Sequence, residues 1–257
     1  MPSPHQLRLA ALAAILALTG ACSDSTGPSD VQPADLSQVL AELQPSSLAP
    51  LAGQVSGVPV AALAAPVPSS CSYESASKSF VCPNVSVSNI TVSRSFTLLD
   101  ASGAPQTAFD KTTTAAVRMK TAFAGTVTSP TTTMVIEQQQ DITLSGLLAG
   151  VHTLNGTSSG RLTGSVGAGT TTIPVATTIS TTITNVVLPR SSSGGQWPQS
   201  GTITATITDS ALAGMPDATS TVIVTFNGTS RPVISITVNG VTLTSTIDLA
   251  NPGSVRG

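Results

Sequence analysis

Alternation at period two governs most of this chain. In "TTIPVATTISTTITNVVL", residues 171–188, the odd positions Ile173, Val175, Ile179, Ile183 and Val187 line up. Side chains two apart share one face of a strand, so this run has one dry face and one wet face. In "AAVRMKTAFAGTVTS" Val117, Met119, Phe123 and Val127 fall together, opposite Arg118 and Lys120. In "TMVIEQQQDITLSG" Met134, Ile136, Ile142 and Leu144 fall together, opposite Glu137 and Asp141. Such patterning belongs to antiparallel strands, and it begins near Phe80.

The end of the chain carries the strongest local signal. "VISITVNGVTLTSTIDL" places Asn239-Gly240 between two alternating runs, which predicts a two-residue hairpin turn. Val238 then pairs with Val241, Ile236 with Leu243, and Thr237 with Thr242. Threonine suits such strands because its branched Cβ fits the pleat. Further turns are expected at Ser102-Gly103, Asn155-Gly156, Ser193-Gly194-Gly195 and Asn227-Gly228. The expected fold is all-β, an antiparallel meander curled into a half-barrel or barrel. A two-sheet sandwich is the alternative. A single Trp and a single Tyr cannot supply the aromatic girdles of an outer-membrane barrel.

The region before Phe80 divides by composition. Residues 1–21 carry one charged side chain, Arg8, followed by the apolar run Leu9–Leu18 and the small residues Thr19, Gly20 and Ala21. That order is a signal peptide. Its apolar run is too short to span a ~30 Å hydrocarbon core. Residues 22–33 are polar and read as a tether. In 34–70, "ADLSQVLAEL" brings Leu36, Val39, Leu40 and Leu43 onto one helical face, and Pro50, Pro59, Pro66 and Pro68 break the apolar stretch after it. The expectation is a short N-terminal helix and an apolar segment that pack on an antiparallel β domain of residues 71–257.

The three cysteines separate into two uses. Cys71 and Cys82 bracket "CSYESASKSFVC". Folding that segment about Ser75–Lys78 sets Cys71 opposite Cys82 and Tyr73 opposite Phe80, so a disulfide and an aromatic pair would support one register. A redox pair is the other reading, although active dithiols usually sit as Cys-x-x-Cys. Cys22 closes "LTGAC", which resembles the lipobox of bacterial lipoproteins. The resemblance implies a diacylglyceryl group on the Cys22 thiol and cleavage just before it. Thr19 departs from the family's usual Leu, while Gly20 and Ala21 conform. Ser23 after the cysteine implies the outer membrane by family analogy; the inner membrane and plain secretion are the alternatives. The stretches "SRSFTLLDASGAPQTAFD", "WPQSGTITATIT" and "VTFNGTSRPVISITVNG" look like those of uncharacterised exported β-rich bacterial proteins, which implies no particular activity.

Composition excludes more than it proposes. Charged residues make up 9% of the chain and the net charge is −2, so no basic surface is available to neutralise nucleic-acid phosphates. Gly156–Gly160 matches G-x-S-x-G, but that mechanism needs a strand-to-helix elbow and a His base. The match lies between β-patterned runs, and a hairpin turn is expected there instead. His152 is the one histidine outside the signal peptide and reads as a wet-face strand residue. Asp100 in "LLDASGAP" reads as a turn former rather than a calcium ligand. The ligand sets of zinc sites and EF-hands are not present. Asn84, Asn89, Asn155 and Asn227 begin N-x-S/T sequons that read as strand and turn sequence. Trp197, in "SSGGQWPQSG", is a candidate surface contact, with packing over a sheet end as the plainer use.

These readings converge on a lipid-anchored envelope protein without catalytic activity, metal or cofactor. Its expected role is structural or interactive, with the membrane and an envelope protein as partners. A carrier of a lipid or other apolar ligand is the alternative, and an enzyme the third.

Overall fold

A computed structural model describes residues 71–87, 89–130, 132–149, 151–168, 171–188, 197–209, 218–247 and 255–256. The expected helix at 34–43 and the lipobox lie outside the described residues, as does the Ser193–Gly195 turn. Fourteen strands follow one another with no helix among the described residues: β1 (Ser72–Glu74), β2 (Ser79–Val81), β3 (Val85–Val87), β4 (Ile90–Asp100), β5 (Pro105–Gln106), β6 (Thr114–Ser129), β7 (Thr132–Ser145), β8 (Thr153–Ala168), β9 (Thr171–Val187), β10 (Ser200–Asp209), β11 (Ala218–Thr225), β12 (Val233–Val238), β13 (Val241–Ile247) and β14 (Val255–Arg256).

All belong to one antiparallel sheet ordered β1-β2-β4-β6-β7-β8-β9-β10-β11-β12-β13-β14, with β3 and β5 also paired to β4. The meander is as expected; closure is not. β1 and β14 end the order at opposite edges, so the sheet is open and not a barrel. The sandwich alternative also fails, because the described strands form no second sheet. A meander joins each long strand to its neighbour by a short turn, and only a final β1-to-β14 ladder would close it.

The registers lay side chains out in rows across the dry face. One row runs Leu98–Val117–Leu144–Leu154. The next runs Phe96–Met119–Ile142–Gly156–Ile183–Ile203–Val224–Ile234. Leu98, Val117, Leu144, Val222 and Val224 have no exposed surface, and they anchor a core cluster reaching from Cys82 to Ile234. Each such side chain contributes about 1.5–3 kcal/mol by leaving water.

Strand β8 approaches its neighbour β7 unusually closely. A Cβ on Gly156 would lie 2.4 Å from the Asp141 carbonyl oxygen, and one on Gly164 2.0 Å from that of Thr133. Only glycine permits such an approach. Asn155-Gly156 is therefore strand and not the expected turn. Instead, the register shifts between Leu154 and Gly156. Asn155 Oδ1 accepts a hydrogen bond from the Asn185 N–H at 2.7 Å, and Asn185 has φ 49°. This bulge moves the alternation by one residue, so Val186 is buried where Val187 was expected.

Candidate functional site

The N-terminal hairpin forms as the sequence implies. Cys71 and Cys82 are disulfide-bonded. Tyr73 pairs with Phe80 and Glu74 with Ser79. Tyr73 meets Phe80 edge-on at 5.3 Å, and Phe80 stacks on Phe96 at 4.8 Å. This ladder fastens a short, three-residue edge strand to the long β4.

Beside the hairpin, the wet face of β4, β6, β7 and β8 forms an open trough of about 670 Å³. The registers give it two walls. One is Ser95–Lys120–Asp141–Thr157, the other Ser93–Ala122–Gln139–Ser159–Ser180. Glu74, Ser77 and Ser79 close the hairpin end. Ser77 Oγ donates to Glu74 Oε2 at 2.7 Å. The lining is dominated by hydroxyls and side-chain amides, which both donate and accept hydrogen bonds. Its charges are partly engaged: Arg118 Nε donates to Asp141 Oδ1 at 2.6 Å across the strands. The Arg118 hydrogen bond holds the Asp141 carboxyl below the usual aspartate range, and the same bond raises Arg118.

Under the trough, on the dry face, the row Arg94–Thr121–Gln140–Ser158–Thr181 interrupts the apolar rows. Arg94, Thr121, Gln140 and Thr181 are all buried. Gln140 Oε1 has no hydrogen-bond partner, and burial lowers the Arg94 guanidinium from its ordinary value. A buried acceptor left without a partner costs about 1–3 kcal/mol, so Gln140 is a local cost within the dry face. The sequence does signal this row. Arg94 falls in phase with Ile90, Val92, Phe96 and Leu98, and Gln138 and Gln140 fall in phase with Met134, Ile136, Ile142 and Leu144. Polar residues in an apolar phase were the overlooked mark.

The residues singled out for chemistry are dispersed. Gly156–Gly160 lies inside β8, where the elbow of a nucleophilic serine cannot form; the expected hairpin turn is absent there as well. His152 precedes β8 rather than lying on a strand, and its carbonyl accepts from the Leu188 N–H. Asp100 Oδ1 accepts from the N–H groups of Ser102 and Ala104 at 2.8 and 2.9 Å, so its carboxylate builds the turn. Trp197 is half-buried and packs against the core cluster. Among the described residues no group of three or more His, Cys, Asp and Glu side chains could hold a metal ion. No protein-family model matches the chain, and no curated protein or solved structure matches it either.

Proposed function

We propose that this protein is a lipid-anchored module of the bacterial outer membrane, tethered through Cys22, with a non-catalytic structural or interaction role. The trough carries this reading: an open, hydrogen-bonding surface on the wet face suits contact with a large polar partner such as an envelope protein. A rigid sheet behind it lowers the entropic cost of ordering that contact. The sheet is read as a half-barrel curled about its dry face, supported by the close strand approaches at Gly125, Gly156 and Gly164. The carrier reading would need empty apolar volume. The dry-face side chains from Leu98 to Ile234 pack into one cluster at 0–8% exposure, which favours the interaction role over the carrier.

Photo-crosslinking in intact cells tests this. A photoreactive residue in place of Gln139, inside the trough, should give a discrete adduct with one envelope component. The same residue at Thr133, on the wet face outside the trough, should not. Equal labelling from both positions would overturn the trough as the contact surface. A stoichiometric apolar molecule retained by the Cys22→Ser protein in native mass spectrometry would establish the carrier instead.

A further inference from the structure

Asn-Gly occurs three times in the chain, at Asn155-Gly156, Asn227-Gly228 and Asn239-Gly240. Asparagine is among the chemically labile side chains. Before a glycine it is most open to attack, because glycine has no Cβ to keep its own backbone nitrogen away from the preceding carboxamide. That nitrogen reacts at the asparagine Cγ when the two groups are free to meet. The fold gives the three dipeptides three different surroundings.

Asn155 lies in β8, between β7 and β9. Its Oδ1 accepts from the Asn185 N–H at 2.7 Å. Gly156 comes so near β7 that an added Cβ would lie 2.4 Å from the Asp141 carbonyl oxygen, so a ring built on this dipeptide has no room. Asn227 is exposed, yet its carboxamide is held at both ends. Its Oδ1 accepts from Thr229 Oγ1 at 2.8 Å and from the Thr229 N–H at 3.1 Å, and its Nδ2 donates to the Arg231 carbonyl at 3.1 Å. The Gly228 N–H, which would have to supply the attacking nitrogen, donates to the Pro198 carbonyl at 3.0 Å. Asn239-Gly240 has none of these restraints. Both residues are exposed, and neither the Asn239 carboxamide nor the Gly240 N–H bonds to another described residue. A Cβ on Gly240 would meet nothing within 4 Å. The strand that follows is open as well, with Val241 at 65% and Leu243 at 69% exposure.

We infer that the fold makes Asn239, of these three asparagines, the site of spontaneous deamidation, with water as the co-reactant. Base removes the Gly240 amide proton, and the nitrogen bonds to Asn239 Cγ. The Cγ–Nδ2 bond then breaks, and Nδ2 leaves as ammonia with a proton from water. The product is a cyclic succinimide, and no atom is oxidised or reduced. Water opens the ring in one of two ways, and the ring nitrogen regains its proton. Addition at Cγ gives aspartate. Addition at the backbone carbonyl carbon of residue 239 gives isoaspartate, in which the chain runs through Cγ and is one carbon longer. Asp-Gly suits the same two-residue turn. Isoaspartate does not, because the added carbon upsets the spacing that pairs Val238 with Val241. It therefore loosens the turn end of β12 and β13, while β4, β6 and β7 stand at a distance in the sheet order.

The test is peptide mass spectrometry of the full chain, incubated folded in mild detergent at mildly alkaline pH in heavy-oxygen water. Asn239 should convert at least tenfold faster than Asn155 and Asn227, taking up one heavy oxygen and giving isoaspartate beside aspartate. In concentrated urea the three rates should converge, because each asparagine precedes a glycine and the fold no longer separates them. In the isoaspartyl form, amide exchange should quicken at Thr237 and Thr242 and stay unchanged at Thr121 in β6. Equal rates at the three sites in the folded chain, or a preference for Asn239 that persists in urea, would overturn the proposal. An isoaspartyl form whose Thr242 exchanges no faster than before would overturn the effect on the hairpin.

Discussion

Asp100 and Asp110 each turn a carboxylate back onto the chain. Ser102 Oγ donates to Asp100 at 2.6 Å and Thr112 Oγ1 to Asp110 at 2.6 Å. Those side-chain bonds are the first reason both carboxyls titrate below the usual range, with the Ala104 and Thr112 N–H groups next. A depressed folded value means that the charged form stabilises the fold above the unfolded aspartate value near 3.9 and stops doing so as pH falls through the folded value. The Asp100→Asn/Asp110→Asn double variant should therefore show a smaller drop in urea midpoint between pH 6 and pH 3 than the parent. Arg118 and Asp141 act by the same sign, but across strands and in contact with solvent. Asp141→Asn should cost about 0.2–1 kcal/mol, less in high salt. Glycines in β8 give a sharper contrast. Gly164→Val sets a Cβ 2.0 Å from the Thr133 carbonyl oxygen, whereas at Gly160 the nearest atom is 3.6 Å away. Thermal melts should show a loss of at least about 1–3 kcal/mol for Gly164→Val, and a change within about 0.5 kcal/mol for Gly160→Ala.

Among the elements, the hairpins were the most legible because their signals are local. Asn239 and Gly240 have φ 51° and 79°, as the primed turn demands, and their pairs fall as the alternation implies. The Cys71–Cys82 hairpin is equally local. Cys71→Ser/Cys82→Ser should lower stability by about 3 kcal/mol in the loop-entropy view, read from urea midpoints with and without reductant. Asn155-Gly156 shows where local reading stops. The dipeptide has the composition of a turn, but its amide oxygen is satisfied by Asn185, thirty residues away in sequence. A bulge depends on the partner strand, and nothing within β8 names that partner. The same bulge explains why Val186 rather than Val187 enters the core. The trough was illegible for the same reason: Glu74, Lys120, Gln139 and Asp141 are unremarkable until four registers bring them together.

At the scale of the molecule, alternation fixed the fold class but not closure. Period two sorts side chains onto faces and says nothing about whether the last strand returns to the first. Here it does not, and one open sheet carries a filled dry face, a polar wet face and an apolar edge at β13. Filling predicts sensitivity. Leu144→Ala, at 0% exposure in the centre of the sheet, should cost about 2–5 kcal/mol in equilibrium unfolding. In the proposed reading a lipid tether at Cys22 sets where these surfaces work, and that proposed tether is the central claim. The most direct test is the intact mass of the protein extracted from bacterial membranes, beside a Cys22→Ser control. The account predicts a chain beginning at Cys22 with the added mass of a diacylglyceryl group, and no such addition in the control. An unmodified chain cleaved near Ala21 and recovered in the soluble fraction would contradict it.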